Sequence, residues 1–356
     1  NEYDTYYLVY TVLQFIVSVI LIVSGFYPFL FYKIAIASTF FHVLVFLLLS
    51  SLPSALFSFP FSLYKTFKIE KKHGFSTITF KLYLTDMLKN WLIELPLSFA
   101  VISAIYFFVG AFPLAWPIIT TVALIIFSLL INIIYPTWIA PLFNKFTPLE
   151  EGELKTAIKT LFDKAGFKLD AIFVVDSSKR SKHSNAYFTG FGKKKRIVLY
   201  DNLIKQLSTE ELVAVICHEL GHFKKKHIIK RLIKISLLYL VLFQLIAYLT
   251  KLPSLYSSFG FKVEHLFIGL FLLELVFSSY FSLFSFISNF SSRKDEREAD
   301  SYAKALLGSG EALATSLLIL NRENLSDINP SKLEIFFDYS HPTLFQRCDS
   351  LLEVEK

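Results

Sequence analysis

Charge is scarce in this chain of 356 residues: Asp, Glu, Lys and Arg together make up 18%, below the roughly 25% of ordinary globular proteins. Cysteine is nearly absent, and Cys217 and Cys348 alone cannot build a disulfide framework. The chain opens at Asn1 without an initiator Met, and its start lacks the basic segment, apolar core and cleavage site of a signal peptide. No internal repeat or low-complexity tract is visible outside the apolar runs. Those runs dominate: 54% of residues are hydrophobic, 39 of them Phe. An ordinary soluble protein is thereby excluded, and much of the chain is expected to sit in membrane lipid. The net charge of +7 would point a soluble protein toward nucleic acid. In a membrane protein it records orientation instead, and no nucleic-acid partner is expected.

A membrane-crossing helix needs about 20 mostly apolar residues, and six stretches supply them, at 7–32, 38–64, 89–110, 114–140, 228–250 and 265–290. Six crossings put the N-terminus, the loop 64–89, the segment 141–227 and the tail after 290 on one side. That side carries Lys65, Lys68, Lys71, Lys72, Lys81 and Lys89, and within 141–227 fourteen Lys and two Arg, against Lys33, Lys251 and Lys262 opposite. By the positive-inside rule the basic side is cytoplasmic. The chain thus parses as four apolar helices with a basic loop (1–140), a polar block (141–227), a helical hairpin (228–290) and a second polar block (291–356). Each polar block is short for a core of its own, so the two are expected to fold together. Within the first, spacing predicts a helix over 150–165, a buried strand over 171–175 and a β-hairpin pairing 185–191 with 196–200.

Ser208-Thr209-Glu210-Glu211 has the form of a capping box that starts a helix. Along that helix lies Cys217-His218-Glu219-Leu220-Gly221-His222, which contains H-E-x-x-H. Four residues of helix advance about 400°, so His218 and His222 project from one face, placed to share a metal ion. Neutral imidazoles suit Zn2+, and Glu219 between them is placed to accept a proton from the attacking water. His227, five residues on and about 140° around a continuous helix, is expected to be a solvated or interfacial residue. The helix itself is expected to run through Lys224-Lys225-Lys226-His227 into the fifth span, mounting the metal at the bilayer boundary. A catalytic zinc wants a third protein ligand. Glu296 and Asp300 stand i, i+4 in Asp295-Glu296-Arg297-Glu298-Ala299-Asp300, so that one can ligate while the other orients a ligand imidazole.

With these residues in view the chain resembles the Ste24-type CAAX prenyl protease family, integral-membrane zinc metallopeptidases of the M48 group. The resemblance extends over essentially the whole chain. It is carried by His218 to His222, by Glu296 to Asp300, by Ser184-Asn185-Ala186-Tyr187-Phe188 with Arg196-Ile197-Val198-Leu199-Tyr200, by Ile139 to Phe143 and Phe146 to Leu149, by Glu70-Lys71-Lys72-His73-Gly74-Phe75, and by Ser340-His341-Pro342. It implies one Zn2+ per chain held by His218, His222 and Glu296, with Asp300 in support and Glu219 as general base. It also implies His341 and Arg347 as groups that bind substrate or steady the oxyanion, and Asn185, Ala186 and Tyr187 as the start of an edge strand for an extended peptide. The implied fold is mainly α: a multi-spanning membrane helical barrel or bundle enclosing a chamber, with a small α+β zincin-like catalytic domain. That family has seven spans, and the first counted here corresponds to its second.

The expected function is zinc-dependent peptide hydrolysis at the cytoplasmic membrane face, removing the C-terminal CAAX-type tripeptide from prenylated proteins or peptides. Membrane lipid and a lipid-modified or membrane-associated peptide are the expected partners. A quality-control protease acting on membrane proteins without a prenyl requirement uses the same ligands and base, and is the alternative. A transporter or scaffold is a further one, since His42, Glu94 and Glu274 lie inside apolar spans where charge is costly. The short connections lean toward a prokaryotic plasma membrane over endoplasmic reticulum.

Overall fold

The computed structural model describes residues 2–189, 194–281 and 285–353. The chain divides into two compact units, Asn1–Ile125 with Ile235–Tyr280 and Ile126–Lys234 with Phe281–Lys356. Helix α1 (Glu2–Val23) stops before Gly25, and a short α2 (Phe26–Lys33) follows. The expected span 7–32 is therefore two helices, because Gly25 takes φ 68°, a left-handed turn that glycine adopts without steric cost. Helix α3 (Thr39–Tyr64) continues through a π-helical turn (Lys65–Ile69) into α4 (Glu70–Lys72). Helix α5 (Phe80–Ala111) begins well before residue 89, since Thr79 caps it by accepting from the Leu82 N–H at 3.3 Å. Its first turns carry Lys81, Asp86 and Lys89, so an apolar run leaves them out although they are helical. Helix α6 (Trp116–Ile134) leads through a second π-helical turn into α7 (Ala140–Phe143).

The polar block then folds as helices packed on a small mixed sheet. Strand β1 (Phe146–Pro148) precedes α8 (Glu153–Ala165), β2 (Lys168–Val175), β3 (Ala186–Thr189), β4 (Lys194–Tyr200) and α9 (Asp201–Gln206). The sheet order is β1-β2-β4-β3, with β2 parallel to β4 and the other neighbours antiparallel. The expected hairpin is the β3–β4 pair, and its turn, residues 190–193, lies outside the described residues. Helix α10 (Thr209–Lys224) starts at the expected capping box, in which the Ser208 hydroxyl accepts from the Glu211 N–H and the Glu211 carboxylate from the Ser208 N–H. It does not run on into the next helix. Lys226 has φ 57°, and α11 (His227–Leu249) begins anew.

After α12 (Pro253–Ser257) comes α13 (Leu266–Phe281), and then α14 (Ser285–Leu307), α15 (Glu311–Glu323), α16 (Lys332–Phe337) and α17 (Leu344–Leu352). Five helices among the described residues are long and apolar enough to cross a membrane: Glu2–Val23, Thr39–Lys72, Phe80–Ala111, Trp116–Phe143 and His227–Leu249. The sixth expected span, 265–290, is apolar only in the shorter α13. It crosses residues 282–284, outside the described residues, into the polar α14.

In the first unit Tyr27, Phe46, Tyr256, Phe261, Ile268 and Leu272 form a small core. Ring contacts tie it together, such as Tyr27–Phe271 at 4.9 Å and Phe46–Phe271 at 5.1 Å. The second unit has a larger core, in which Ile158 and Phe162 of α8, Ile172, Ile197 and Leu199 of the sheet and Leu212, Ile216 and Leu220 of α10 pack with Ala303, Leu313 and Leu351. One face of α10 is thereby anchored in apolar packing.

Candidate metal centre

Helix α10 presents His218 and His222 one turn apart, and α14 packs along it carrying Glu296 and Asp300. The close approach depends on Gly221. A Cβ built there would stand 3.0 Å from both the Cα and the carbonyl oxygen of Ala299. Glycine therefore lets the backbones of the two helices come near enough for short carboxylates on one to reach imidazoles on the other.

His218 Nε2 and His222 Nε2 are 3.1 Å apart, Glu296 Oε2 lies 3.3 Å from the first and Glu296 Oε1 3.3 Å from the second. These three residues are the one group of His, Cys, Asp and Glu among the described residues whose donor atoms converge as metal ligands do. Four tetrahedral ligands at bonds of about 2.0–2.1 Å stand roughly 3.3–3.4 Å from one another, close to the separations found. Glu296 Oε2 is buried and without a hydrogen-bond partner among the described residues, a costly state for a carboxylate oxygen that a cation between the three groups relieves. The donor set thus fits a divalent metal. Burial alone would raise the pKa of Glu296, but the facing imidazoles of His218 and His222 hold it well below the usual carboxylate range.

His218 Nδ1 is 2.7 Å from Asp300 Oδ1, and Arg347 grips Asp300 with two bonds, Nε to Oδ2 at 2.8 Å and Nη2 to Oδ1 at 2.7 Å. Burial lowers the pKa of His218, yet its bonds to Asp300 and Glu296 outweigh this and raise it to about 9. Asp300 is itself held low, because bonds from His218 and Arg347 exceed the effect of burial. Arg347, expected to meet substrate, is 10% exposed, with its remaining Nη1 3.6 Å from Glu296 Oε2. Its guanidinium is taken up by the two carboxylates of α14.

Burial pushes the Glu219 carboxyl up, and no hydrogen bond among the described residues ends on it. The His341 side chain is 59% exposed and its Nε2 stands 3.4 Å from Glu296 Oε1. It is brought there by Arg293 of α14, buried, whose Nη1 donates to the carbonyls of Ile335 at 2.9 Å and Tyr339 at 2.6 Å. The one sequence signal for Arg293 is its place three residues before Glu296, which puts both on one helix face. Ala186 and Tyr187 open β3 and Asn185 immediately precedes it; the strand pairs only with β4 among the described residues and packs beside α10. The Asn185 side chain accepts from the Ala186 N–H at 2.8 Å.

His227 differs from expectation. It is 2% exposed, with its Nδ1 2.9 Å from His222 Nδ1 and its Nε2 3.2 Å from Glu298 Oε2. The expected position assumed one continuous helix, and the turn at Lys226 swings the ring back against the metal centre.

A helix with H-E-x-x-H packed on a second helix that supplies an acidic ligand, in a chain of long apolar helices, defines a membrane metallopeptidase. Comparison with known proteins narrows this. The model of Peptidase family M48 matches residues 148–355, and that of the CAAX prenyl protease N-terminal region, five membrane helices, matches residues 4–145. CAAX prenyl protease 1 of Saccharomyces cerevisiae is 40% identical over 324 residues, 85% of this chain and 70% of that protein. The CAAX prenyl protease 1 homolog of Homo sapiens is 36% identical over 356 residues, 86% of this chain and 73% of that protein. The crystal structure of S. mikatae Ste24p superposes with a TM-score of 0.89 at 36% identity, covering 96% of this chain and 84% of that one. The chain belongs to peptidase family M48, as a multi-pass membrane metalloprotease of the Ste24 type.

Proposed function

We propose that this chain is a zinc endopeptidase that removes the C-terminal CAAX-type tripeptide from prenylated proteins or peptides at the cytoplasmic membrane face. The observation that carries the chemistry is the convergence of His218, His222 and Glu296 donor atoms beside Glu219. The relatives named CAAX prenyl protease 1 supply the substrate class.

In this reading His218, His222 and Glu296 hold one Zn2+, which when bound acts as a Lewis acid toward the scissile carbonyl and lowers the pKa of water. Glu219 takes the proton of the attacking water and passes it to the leaving amine. The Asp300 carboxylate accepts from His218 Nδ1–H, which keeps the Nε2 lone pair free for the metal, and Arg347 holds Asp300 in place. His341, exposed beside Glu296, donates to the oxyanion. The open edge of β3, beginning at Asn185, Ala186 and Tyr187, takes the peptide as an added strand. The apolar helices wall a chamber that receives lipid-attached substrate. The basic side faces the cytosol. The relatives reported come from eukaryotes, which favours a eukaryotic membrane over the prokaryotic one expected from short connections.

The test compares a farnesylated CAAX peptide with its unmodified twin, using purified zinc-loaded protein in lipid. Release of the tripeptide at least tenfold faster, as kcat/KM, from the farnesylated peptide supports the reading. Equal turnover supports the quality-control protease instead, and stoichiometric zinc without hydrolysis of either peptide supports a transporter or scaffold.

A further inference from the structure

The two histidines of the centre are backed differently. His218 rests directly on a carboxylate, whereas His222 turns its Nδ1 to the Nδ1 of His227 at 2.9 Å, ring centroids 5.0 Å apart and planes 74° to each other. Its Nε2 faces the other donor atoms, so its proton belongs on Nδ1. His222 Nδ1–H then donates to His227 Nδ1, and His227 must carry its own proton on Nε2. That nitrogen has an acceptor waiting, Glu298 Oε2 at 3.2 Å, with Asp295 Oδ1 at 3.7 Å behind it. Lys230 Nζ holds the same Glu298 oxygen from the other side at 3.2 Å. Every polar hydrogen in this file of groups has one acceptor, and the file ends on a salt-bridged carboxylate.

The backbone is bent to make it. Lys226 is a non-glycine residue at φ 57°, a left-handed conformation in which the Cβ of an L-residue crowds the following carbonyl oxygen. Without that turn His227 would point about 140° away from His222. The chain also places an imidazole, a polar group, at 2% exposure, which is unfavourable unless its hydrogen bonds are made.

We propose that His227 is a positioning residue for the metal: it fixes the tautomer and ring orientation of His222 and couples it to Glu298, as Asp300 does for His218. The inference rests on the metal reading above. Partners of ligand histidines typically contribute 10–100-fold to metal affinity.

The test measures Zn2+ affinity of the full-length purified protein by chelator competition, together with the ligand-field absorption of the Co2+-loaded form and the thermal midpoint of the metal-free form. His227→Phe, which fills the space without an acceptor, is expected to weaken metal binding about 10–100-fold and alter the Co2+ spectrum, with the metal-free midpoint unchanged. His227→Asn keeps an acceptor near the Nδ1 position and is expected to recover most of that affinity. Equal losses in Phe and Asn overturn the proposal in favour of packing, and parental affinity in both overturns it outright. If His227→Phe does not fold, Glu298→Ala breaks the file one link out at a 29% exposed side chain. Weakened binding there supports the proposal and unchanged binding overturns it. A parental chain that binds no metal contradicts the reading of the site, a result distinct from a metal-binding parent with unaffected variants.

Discussion

Helices α1 and α5 bury none of their residues within the protein, and Leu8, Phe15, Leu92 and Phe107 each stand more than half exposed. Helix α10 buries Leu212, Ala214, Ile216, Cys217, His218, Leu220 and Gly221. The same kinds of side chain are therefore used against two solvents. In the second unit apolar residues leave water, and the hydrophobic effect anchors the face of α10 opposite its histidines. In the first unit they face lipid, where apolar contact is no gain over the bilayer itself. Hydrogen bonds and ring contacts between helices matter more there, such as Tyr6 Oη donating to the Phe61 carbonyl at 3.0 Å and Tyr10 Oη paired with Ser58 Oγ at 3.0 Å. Precision is concentrated where α10 meets α14, and substitutions on the outward faces of the membrane helices are expected to cost little.

The contrast is broken most completely at the junction of the two helices. Glu296→Ala is expected to abolish both metal retention and hydrolysis, seen by elemental analysis after gel filtration, and extraction of the parental metal by a chelator should do the same reversibly. Gly221→Ala comes next. Its new Cβ would meet the Ala299 backbone at 3.0 Å, forcing α14 outward and lowering metal affinity on the order of tenfold, although no ligand is changed. Arg347→Lys keeps the charge but cannot make both bonds to Asp300, and a loss of about tenfold or less in metal affinity should follow. Leu92→Ala on the outer face of α5 is the smallest, within about 0.5 kcal/mol in thermal stability, against about 2–5 kcal/mol for Leu212→Ala in the core of the second unit. Similar losses at Leu92 and Leu212 would contradict the two-solvent comparison.

Local signals were legible where they are made by neighbouring residues. The capping box at Ser208 and Glu211, the i, i+4 histidines and the β3–β4 pair all depend on short spacing, and the structure places them together. Breaks in long helices were not legible. Ser24-Gly25 lies inside a continuous apolar run, and the turn at Lys226 falls within Lys224-Lys225-Lys226, where no glycine or asparagine marks a left-handed residue. The burial of His227 was hidden with it. Likewise the arginines: Arg347 and Arg293 gain their meaning only when α14 and α17 or the segment before His341 meet, which is a fact of tertiary packing.

The most direct measurement is zinc content and peptide hydrolysis of Glu219→Gln beside the parent. About one zinc per chain is expected in both proteins, with hydrolysis by the variant lower by about 10²–10⁴-fold, the usual contribution of a general base. A zinc-loaded variant that cleaves as fast as the parent, or a parent that hydrolyses peptide with no metal bound, would contradict that expectation.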